Sequence, residues 1–350
     1  MDGIPSIFNK YRLSVEKQIK AIVSDGRLAK ISNGSATIYD MIKYHMGWID
    51  ESRNRANSQS TGKYLRATLT CLACESAGQD FRKALPAAAA IELIHNFSLV
   101  HDDIQDDDLF RRHKPTVWKI WGKPQAINVG NAMKTLAFCS VYMLDAASVE
   151  FSKQVEIFKA IDEGCLRMIE GQYLDISFET RDQVSIQDYL KMIEFKTSAL
   201  IECALLIGAL VALDPEKTAP FKRFGRALGM AFQVQDDILG IWGNDKKTGK
   251  PAGNDLRKRK KSLPVVFFLN NASQKQIECF KKIYLNEKMK DSDFHVLTGL
   301  LEEAGSLQYC RNLNSRFYIE ATEQLKKLPV KNGMLSGFAD ITDFLVKRDF

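Results

Sequence analysis

Apolar residues recur at i, i+3, i+4 and i+7 through long windows of the chain, among them Ala88 to Val100, Val155 to Ile176 and Leu190 to Leu213. That spacing draws one apolar stripe along an α-helix. Turn signals fall between the windows: Asn33-Gly34-Ser35, Gly122-Lys123-Pro124, Asp214-Pro215 and Gly249-Lys250-Pro251. Only nine prolines interrupt 350 residues, and no alternation of strand and helix signals is seen. The pattern predicts an all-α protein of roughly ten or more helices with short connections. Residues 1–60 are more polar and less regular and read as leading helices packed on the bundle, with 61–350 as its body, one structural domain in all. No fixed-period repeat or low-complexity segment is found.

Composition narrows the class. The length is about two to three times the ~150 residues expected per domain, and 45% apolar with 26% charged residues is the ordinary globular mix, which excludes disorder, collagen and membrane channels. No stretch approaches ~20 uninterrupted apolar residues, so no integral membrane segment is expected. The start, MDGIPSIFNKYRLSVEKQIK, carries neither a secretory nor an Arg/Ser-rich transit pattern, and a cytoplasmic protein is the expectation. Seven scattered cysteines read as buried thiols of a reducing compartment. The CxxC of Cys71 and Cys74 lies in the apolar run LTCLACES, as two core thiols one turn apart.

A net charge of +6 is too mild to signal nucleic acid, and its distribution says more. Residues 102–108, DDIQDDD, hold five carboxylates in seven positions, and 257–261, RKRKK, are five consecutive cations. Asp102 and Asp106 stand four apart, as do Asp103 and Asp107, so on a helix each pair lines one face and repels itself. A hard divalent cation relieves that repulsion, and Mg²⁺ typically bridges one or two carboxylates to substrate phosphates. The plain alternative is a solvated acidic helix end. Against it, the apolar run IELIHNFSLV leads straight into the acids, as if they stood at the mouth of a core. A second pair, Asp236 and Asp237, also follows an apolar run, LGMAFQV, and the glycines at 240, 243, 249 and 253 suggest a helix fraying into a loop that carries Lys250. RKRKK by itself reads as a nuclear-localisation or nucleic-acid patch. Its nearness to the second acidic pair favours instead a face that neutralises an anion, with at most one or two of the five cations pointing inward. Two acidic platforms with scattered cations describe a site for diphosphate esters.

These motifs resemble those of the all-trans prenyl diphosphate synthases, from about Gly62 to Phe350. The resemblance rests on DDxxD followed by RR (Asp102, Asp103, Asp106, Arg111, Arg112) and on FQVQDD ending at Asp237. Further motifs come in order: GKxxR at Gly62, Lys63 and Arg66; His95; GQxxD at Gln172 and Asp175; the Lys196-Thr197 pair; TGK ending at Lys250; and Lys260 of KKSLP. It implies an all-helical prenyl synthase bundle around a central cavity. It further implies Asp102 and Asp106 as ligands of two Mg²⁺ ions and Asp236 of a third, with Asp103 and Asp237 as acceptors orienting ligand waters and lysines. By the same carry-over Arg111, Lys196, Lys250 and Lys260 hold an allylic diphosphate. Lys63, Arg66, His95 and Arg112 hold isopentenyl diphosphate, and Gln233 and Thr197 line the reacting centre. The implied reaction joins isopentenyl diphosphate to a dimethylallyl, geranyl or farnesyl diphosphate, in a homodimer.

Some positions depart from the commonest family pattern. Gly240 stands where many members carry a third Asp, Asn244 where Asp is usual, Asn131 for the Asp of a GD pair, and Thr61 for the first Gly of GGK. Chain length is read from the helix entering the first motif. Phe97 is five and Ser98 four before Asp102, and at ~1.5 Å per residue Phe97 lies ~7.5 Å below the metal end. An aromatic followed by a small residue, with no insertion in the motif, resembles geranylgeranyl synthases; farnesyl or longer products are the alternatives. A terpene cyclase on the same fold would have no use for Lys63, Arg66 and His95 together, and a non-catalytic partner subunit would have lost an Asp motif. Leu200 to Leu213 is a candidate dimer seam, and the tail FLVKRDF resembles family tails that close over the pocket, with Arg348 adding charge.

Overall fold

Helix starts are written into the sequence as caps. Thr37 and Ser273 close capping boxes with Asp40 and Gln276, Ser185 accepts the Asp188 N–H at 3.0 Å, and Pro86, Pro124 and Pro264 occupy first turns, where no N–H is needed. The computed structural model describes residues 6–23, 35–56, 62–243, 253–286, 289–331 and 333–347. Its helices are α1 (Ser6–Ile22), α2 (Ile38–His45), α3 (Leu65–Ser76), α4 (Leu85–Gln105), α5 (Val117–Trp121), α6 (Lys123–Val141), α7 (Phe151–Thr180), α8 (Ile186–Ile193), α9 (Ala199–Ala212), α10 (Ala219–Trp242), α11 (Asn254–Arg257), α12 (Leu263–Asn271), α13 (Gln274–Tyr284), α14 (Asp291–Glu303), α15 (Ser306–Leu325) and α16 (Leu335–Val346). One antiparallel hairpin, β1 (Phe110–Arg111) and β2 (Lys114–Pro115), pairs Phe110 with Pro115 and Arg111 with Lys114. The fold is all-α, as the periodicity predicts.

The chain forms two compact units. The first comprises the described residues within Ile4–Asp162 and Cys203–Thr218. Its axis is α4, whose Ala87 to Ala90, Ile91, Leu93 and Ile94 are fully buried beneath α1, α3 and α6. Each buried Leu or Ile contributes about 1.5–3 kcal/mol. Two buried hydroxyls tie elements together: Ser140 donates to Pro86 O at 2.7 Å, and Thr70 to Ala204 O at 2.9 Å, joining α3 to α9. Tyr11 of α1 is fully buried and donates to Glu75 of α3.

The second unit comprises the described residues within Glu163–Glu202 and Ala219–Phe350. Here α10 packs along α15, where Asn314 donates to Ala231 O and Gln235 Oε1, both at 3.2 Å. Phe338 of α16 meets Phe221 and Phe224 edge-on, at 6.4 and 5.7 Å between centroids. At the end of α7, Lys261 donates to the carbonyls of Phe178 (2.7 Å), Glu179 (3.3 Å) and Arg181, placing a cation on carbonyls that have no intrahelical partner.

Three expectations change. The segment Ile186–Ala212 is long and apolar enough by composition to cross a membrane, yet 72% of its window is buried inside the protein. Leu200, Ile201, Leu205, Ile207 and Leu210 of α9 are buried within the chain itself, so this helix is core and not a seam. All seven cysteines are free, but Cys139 and Cys279 are exposed. Cys71 and Cys74 are the buried core pair expected, and burial pushes the Cys74 thiol up to about 12 and Cys71 well above its ordinary value, which keeps both unreactive at neutral pH.

Candidate active site

In the first unit the chain leaves α4 through the first acidic motif. The Asp106 N–H still reaches Asp102 O at 2.8 Å, so Asp102 and Asp106 stand one turn apart on one edge, both half-buried. Asp103 points the other way: its side chain is 2% exposed and accepts the Arg111 Nε–H at 2.7 Å. Burial pushes its carboxyl up to about 6 against the opposing pull of Arg111. The second i, i+4 pair does not form. Asp107 adopts left-handed backbone (φ 49°), which ends the helix, and it pairs with Lys123 at 2.6 Å in solvent.

The hairpin that follows places the two arginines. Its two-residue turn is Arg112 (φ 51°) and His113 (φ 63°), left-handed at both centres as a type I′ turn requires but without the usual Asn-Gly. Each non-glycine residue held so costs of order 1–2 kcal/mol, and such strain gathers at binding sites. The turn carries the Arg112 guanidinium against Gly62, with Nη2 2.9 Å from where a Cβ would stand. Three residues beyond Lys63, Arg66 is buried in the first turn of α3, in the field of Glu92. Glu92 accepts the Ala67 N–H at 3.3 Å, and burial raises its pKa. His95 is held in its neutral form by burial and then by Arg66, Arg112 and Arg111. Lys63 is exposed. Arg66, His95 and Arg112, predicted as one group, thus share one electrostatic neighbourhood.

In the second unit α10 presents Asp236 half-buried and Asp237 buried. Asp237 accepts from Tyr189 Oη at 2.6 Å, Gln233 Nε2 at 2.9 Å and the Leu263 N–H at 3.3 Å. Burial still pushes its carboxyl up to about 7. Thr197 donates to Gln233 Oε1 at 2.6 Å, so the Lys196-Thr197 pair and the second acidic motif form one hydrogen-bonded chain. A π-helical turn, Glu194–Ser198, breaks the apolar window between α8 and α9 and carries this pair, Lys196 half-buried and Thr197 buried. Lys196 donates to Asp175 Oδ2 at 2.5 Å, joining the GQxxD motif.

The helix does not fray at Gly240 but runs on to Trp242. A Cβ on Gly240 would meet Asp255 Oδ2 at 2.1 Å: the carboxylate of Asp255, on α11, lies over the glycine that stands where many relatives have a third Asp. Of the cationic run, Arg257, Lys258 and Arg259 are exposed and Lys260 and Lys261 half-buried. Arg257 pairs with Asp291 at 2.6 Å, and Lys261 is the α7 cap. Lys250, Asn244, Asp245, Thr61 and Arg348 lie outside the described residues.

The polyprenyl synthetase family model matches residues 48–300. The chain belongs to the polyprenyl synthetase family. It is 42% identical over 266 residues to the geranylgeranyl diphosphate synthase of Mycobacterium tuberculosis, covering 76% of this chain and 75% of that protein. With the (2E,6E)-farnesyl diphosphate synthase of Mycobacterium bovis it is 35% identical over 312 residues, covering 88% and 85%. The polyprenyl synthetase of Streptomyces coelicolor A3(2) superposes with a TM-score of 0.87 at 33% identity, covering 97% of this chain and 99% of that one. The polyprenyl synthetase chain described here is accordingly an enzyme, a transferase of prenyl groups.

The donor chemistry of this synthetase suits magnesium. Among the described residues no three His, Cys, Asp or Glu side chains converge as a ready-made ligand set. Asp102, Asp106 and Asp236 are hard oxygen donors, half-buried and presented singly or in pairs, and Mg²⁺ needs no more than one or two carboxylates when phosphates and waters complete its shell. Sequence reasoning missed Tyr189 as the partner of Asp237, Asp255 over Gly240, and His45 and Lys114 beside the arginines. A tyrosine 48 residues from its partner leaves no local signal, whereas Gly240 as a departure was a visible prompt to look for a replacement carboxylate.

Proposed function

We propose that this synthetase is a Mg²⁺-dependent prenyltransferase that condenses isopentenyl diphosphate with an allylic diphosphate, giving geranylgeranyl diphosphate. The observation that carries the reading is the cationic group of Arg66, Arg112 and neutral His95, found in a chain whose two aspartate motifs are both intact. A cyclase that takes no isopentenyl diphosphate has no need of such a group.

In this reading Asp102 and Asp106 would hold two Mg²⁺ ions and Asp236 a third, and the ions would supply positive charge to neutralise the departing diphosphate. Asp103, fixed by Arg111, and Asp237, fixed by Tyr189, Gln233 and the Leu263 amide, keep the motif helices in register and accept from ligand waters. Arg111, Lys196, Lys250 and Lys260 neutralise the allylic diphosphate; Lys63, Arg66, His95 and Arg112 hold the isopentenyl one. Thr197 and Gln233 orient polar groups beside the reacting carbons. The departing diphosphate then takes the proton that the new carbon–carbon bond releases. Half-buried Ser98, whose hydroxyl is spent on His95 O at 2.8 Å, supports the twenty-carbon product by leaving room beside buried Phe97. The relatives make geranylgeranyl and farnesyl diphosphates, so length is the finer claim.

A homodimer is the proposed assembly. On the part of α7 within the second unit, Leu166, Ile169, Tyr173 and Ile176 leave an exposed apolar stripe at helical spacing. Free thiols throughout suit the cytoplasm. The test is purified protein with Mg²⁺, labelled isopentenyl diphosphate and five-, ten- or fifteen-carbon allylic starters. A twenty-carbon product is expected, and Asp102→Ala and Asp236→Ala should each cut turnover by orders of magnitude while staying folded. No label in any prenyl product would sink the reading.

A further inference from the structure

Two groups outside the recognised motifs stand with the isopentenyl pocket, all within the first unit. Tyr44, in the last turn of α2, donates its hydroxyl to Pro115 O at 2.8 Å and meets Trp121 edge-on at 5.2 Å, pinning α2 to the hairpin that carries Arg111 and Arg112. The Lys114 ammonium of that hairpin lies 5.2 Å from the Tyr44 ring centroid; it is buried and has no hydrogen-bond partner. The next residue of α2 is His45, whose Nε2 is also buried and makes no well-formed hydrogen bond, the Asn96 side chain being the one polar group that acts on it as a hydrogen-bond partner. His45 sits beside Asn96 of α4, in the field of Arg112, Arg111 and Lys114, and is a near neighbour of His95.

Leaving buried donors unmade is costly, and gathering them among arginines is costlier still. None of the acids nearby hydrogen-bonds Lys114 Nζ or His45 Nε2: Asp103 accepts from Arg111 through Oδ1 and leaves Oδ2 unpartnered, Glu92 accepts from the Ala67 amide, and Asp50 accepts the Asn54 N–H at 2.8 Å. What the cluster lacks is an anion with several acceptor oxygens.

We propose that Lys114 and His45 bind the diphosphate of isopentenyl diphosphate together with Arg66, His95 and Arg112. This rests on the condensation proposed above. Lys114 supplies a cationic donor and His45 a neutral N–H, which burial and the surrounding cations favour. The leading helices therefore contribute a side chain to substrate binding as well as packing.

The test is steady-state kinetics of Lys114→Met, Lys114→Arg and His45→Gln with isopentenyl diphosphate and farnesyl diphosphate varied in turn. In Lys114→Met the KM for isopentenyl diphosphate should rise about tenfold or more, the loss of one charge-assisted hydrogen bond, and in His45→Gln about threefold. The KM for farnesyl diphosphate should stay near wild type, and Lys114→Arg should keep both. An unchanged isopentenyl KM, an equal rise in both KM values, or a Lys114→Arg enzyme as weak as Lys114→Met would overturn the assignment. Should a variant melt early, the rise in its melting temperature with saturating isopentenyl diphosphate replaces the kinetics, and a full wild-type rise overturns it. Wild-type protein that incorporates no isopentenyl label refutes the reaction itself, a separate outcome from functional wild type beside unaffected variants.

Discussion

Replacing Gly240 by Asp would restore the third carboxylate that many relatives carry in the second motif, and the geometry says it should harm the protein. A Cβ on residue 240 would lie 2.1 Å from Asp255 Oδ2 and 2.6 Å from its Cγ, where ordinary contact begins at 3.4 Å. The backbone of α11 has little room to retreat: Leu256 is fully buried, and the Lys260 N–H bonds to Asp255 O at 2.8 Å. If only the Asp255 side chain swings aside, two carboxylates remain within about 4 Å, a repulsion of about 4 kcal/mol at an effective dielectric of ~20. Asp236, one turn back on α10, adds a few tenths. Both positions are half-buried, so solvent and partial protonation relieve some of this, and removing a helical glycine returns roughly 0.5 kcal/mol. A net loss of about 1–3 kcal/mol is expected.

Urea denaturation of wild type, Gly240→Asp, Asp255→Ala and the double variant reads the loss, and the cycle isolates the pair. The double variant should recover most of the stability, with a coupling above about 1 kcal/mol. Condensation activity should fall in Gly240→Asp and return in part in the double variant. A Gly240→Asp protein as stable as wild type, or more active, would refute the placement of Asp255, as would a double variant that recovers nothing.

Tyr189→Phe removes one of three donors to a buried carboxylate and should cost about 1.5–3 kcal/mol in urea denaturation, with little loss if Asp237 is instead protonated and indifferent to its neighbours. Lys261→Met keeps the aliphatic stem but strips three carbonyls at the end of α7 of their cation; about 1–2 kcal/mol should be lost, and amide exchange near Phe178 to Arg181 should quicken. Ser98→Phe should shorten the prenyl product from twenty carbons to fifteen by chromatography of the labelled products, and an unchanged length would move the stop to another wall.

The motif positions were legible because each acidic pair follows an apolar run that must be helical and buried, although only the first pair stands at a helix end. The apolar period also revealed α4, α7 and the segment of α8 and α9, whose stripes are long enough to dominate any local preference. The π turn at Glu194–Ser198 was hidden, since one added residue shifts the register of an otherwise apolar window without adding any polar marker beyond Lys196 and Thr197. The hairpin was hidden for the opposite reason: Arg112-His113 lacks the glycine chemistry of its turn, which tertiary contacts at Gly62 and Tyr44 must enforce. Asp107 deceived the spacing argument because four-residue spacing implies a shared face only while the helix lasts, and its last residue is Gln105, two before Asp107. The exposure of Cys139 and Cys279 shows the limit of reading compartment from composition, which speaks to pairing but not to burial.

The two acidic motifs, each within its own unit, solve one problem in the same way. Adjacent residues on an α-helix point about 100° apart, so of two consecutive aspartates one must turn toward the core when the other faces outward. A buried carboxylate without donors would unfold the helix end or take up a proton. Asp103 is supplied with the Arg111 guanidinium, and Asp237 with a phenol, an amide side chain and a backbone N–H. Those fixed donors hold the inner aspartate, and through the rigid helix they set the direction of the outer one. In the condensation proposed above, Asp102 and Asp236 would thereby be aimed by their neighbours before any ligand arrives, which would remove the reorganisation that binding a metal and a diphosphate otherwise imposes. On that proposal the consecutive DD is a device of two parts, an anchor and a donor; the different anchoring chemistry in the two units, a guanidinium for Asp103 and a phenol, an amide and a backbone N–H for Asp237, follows local packing, while the donor would be set by the reaction.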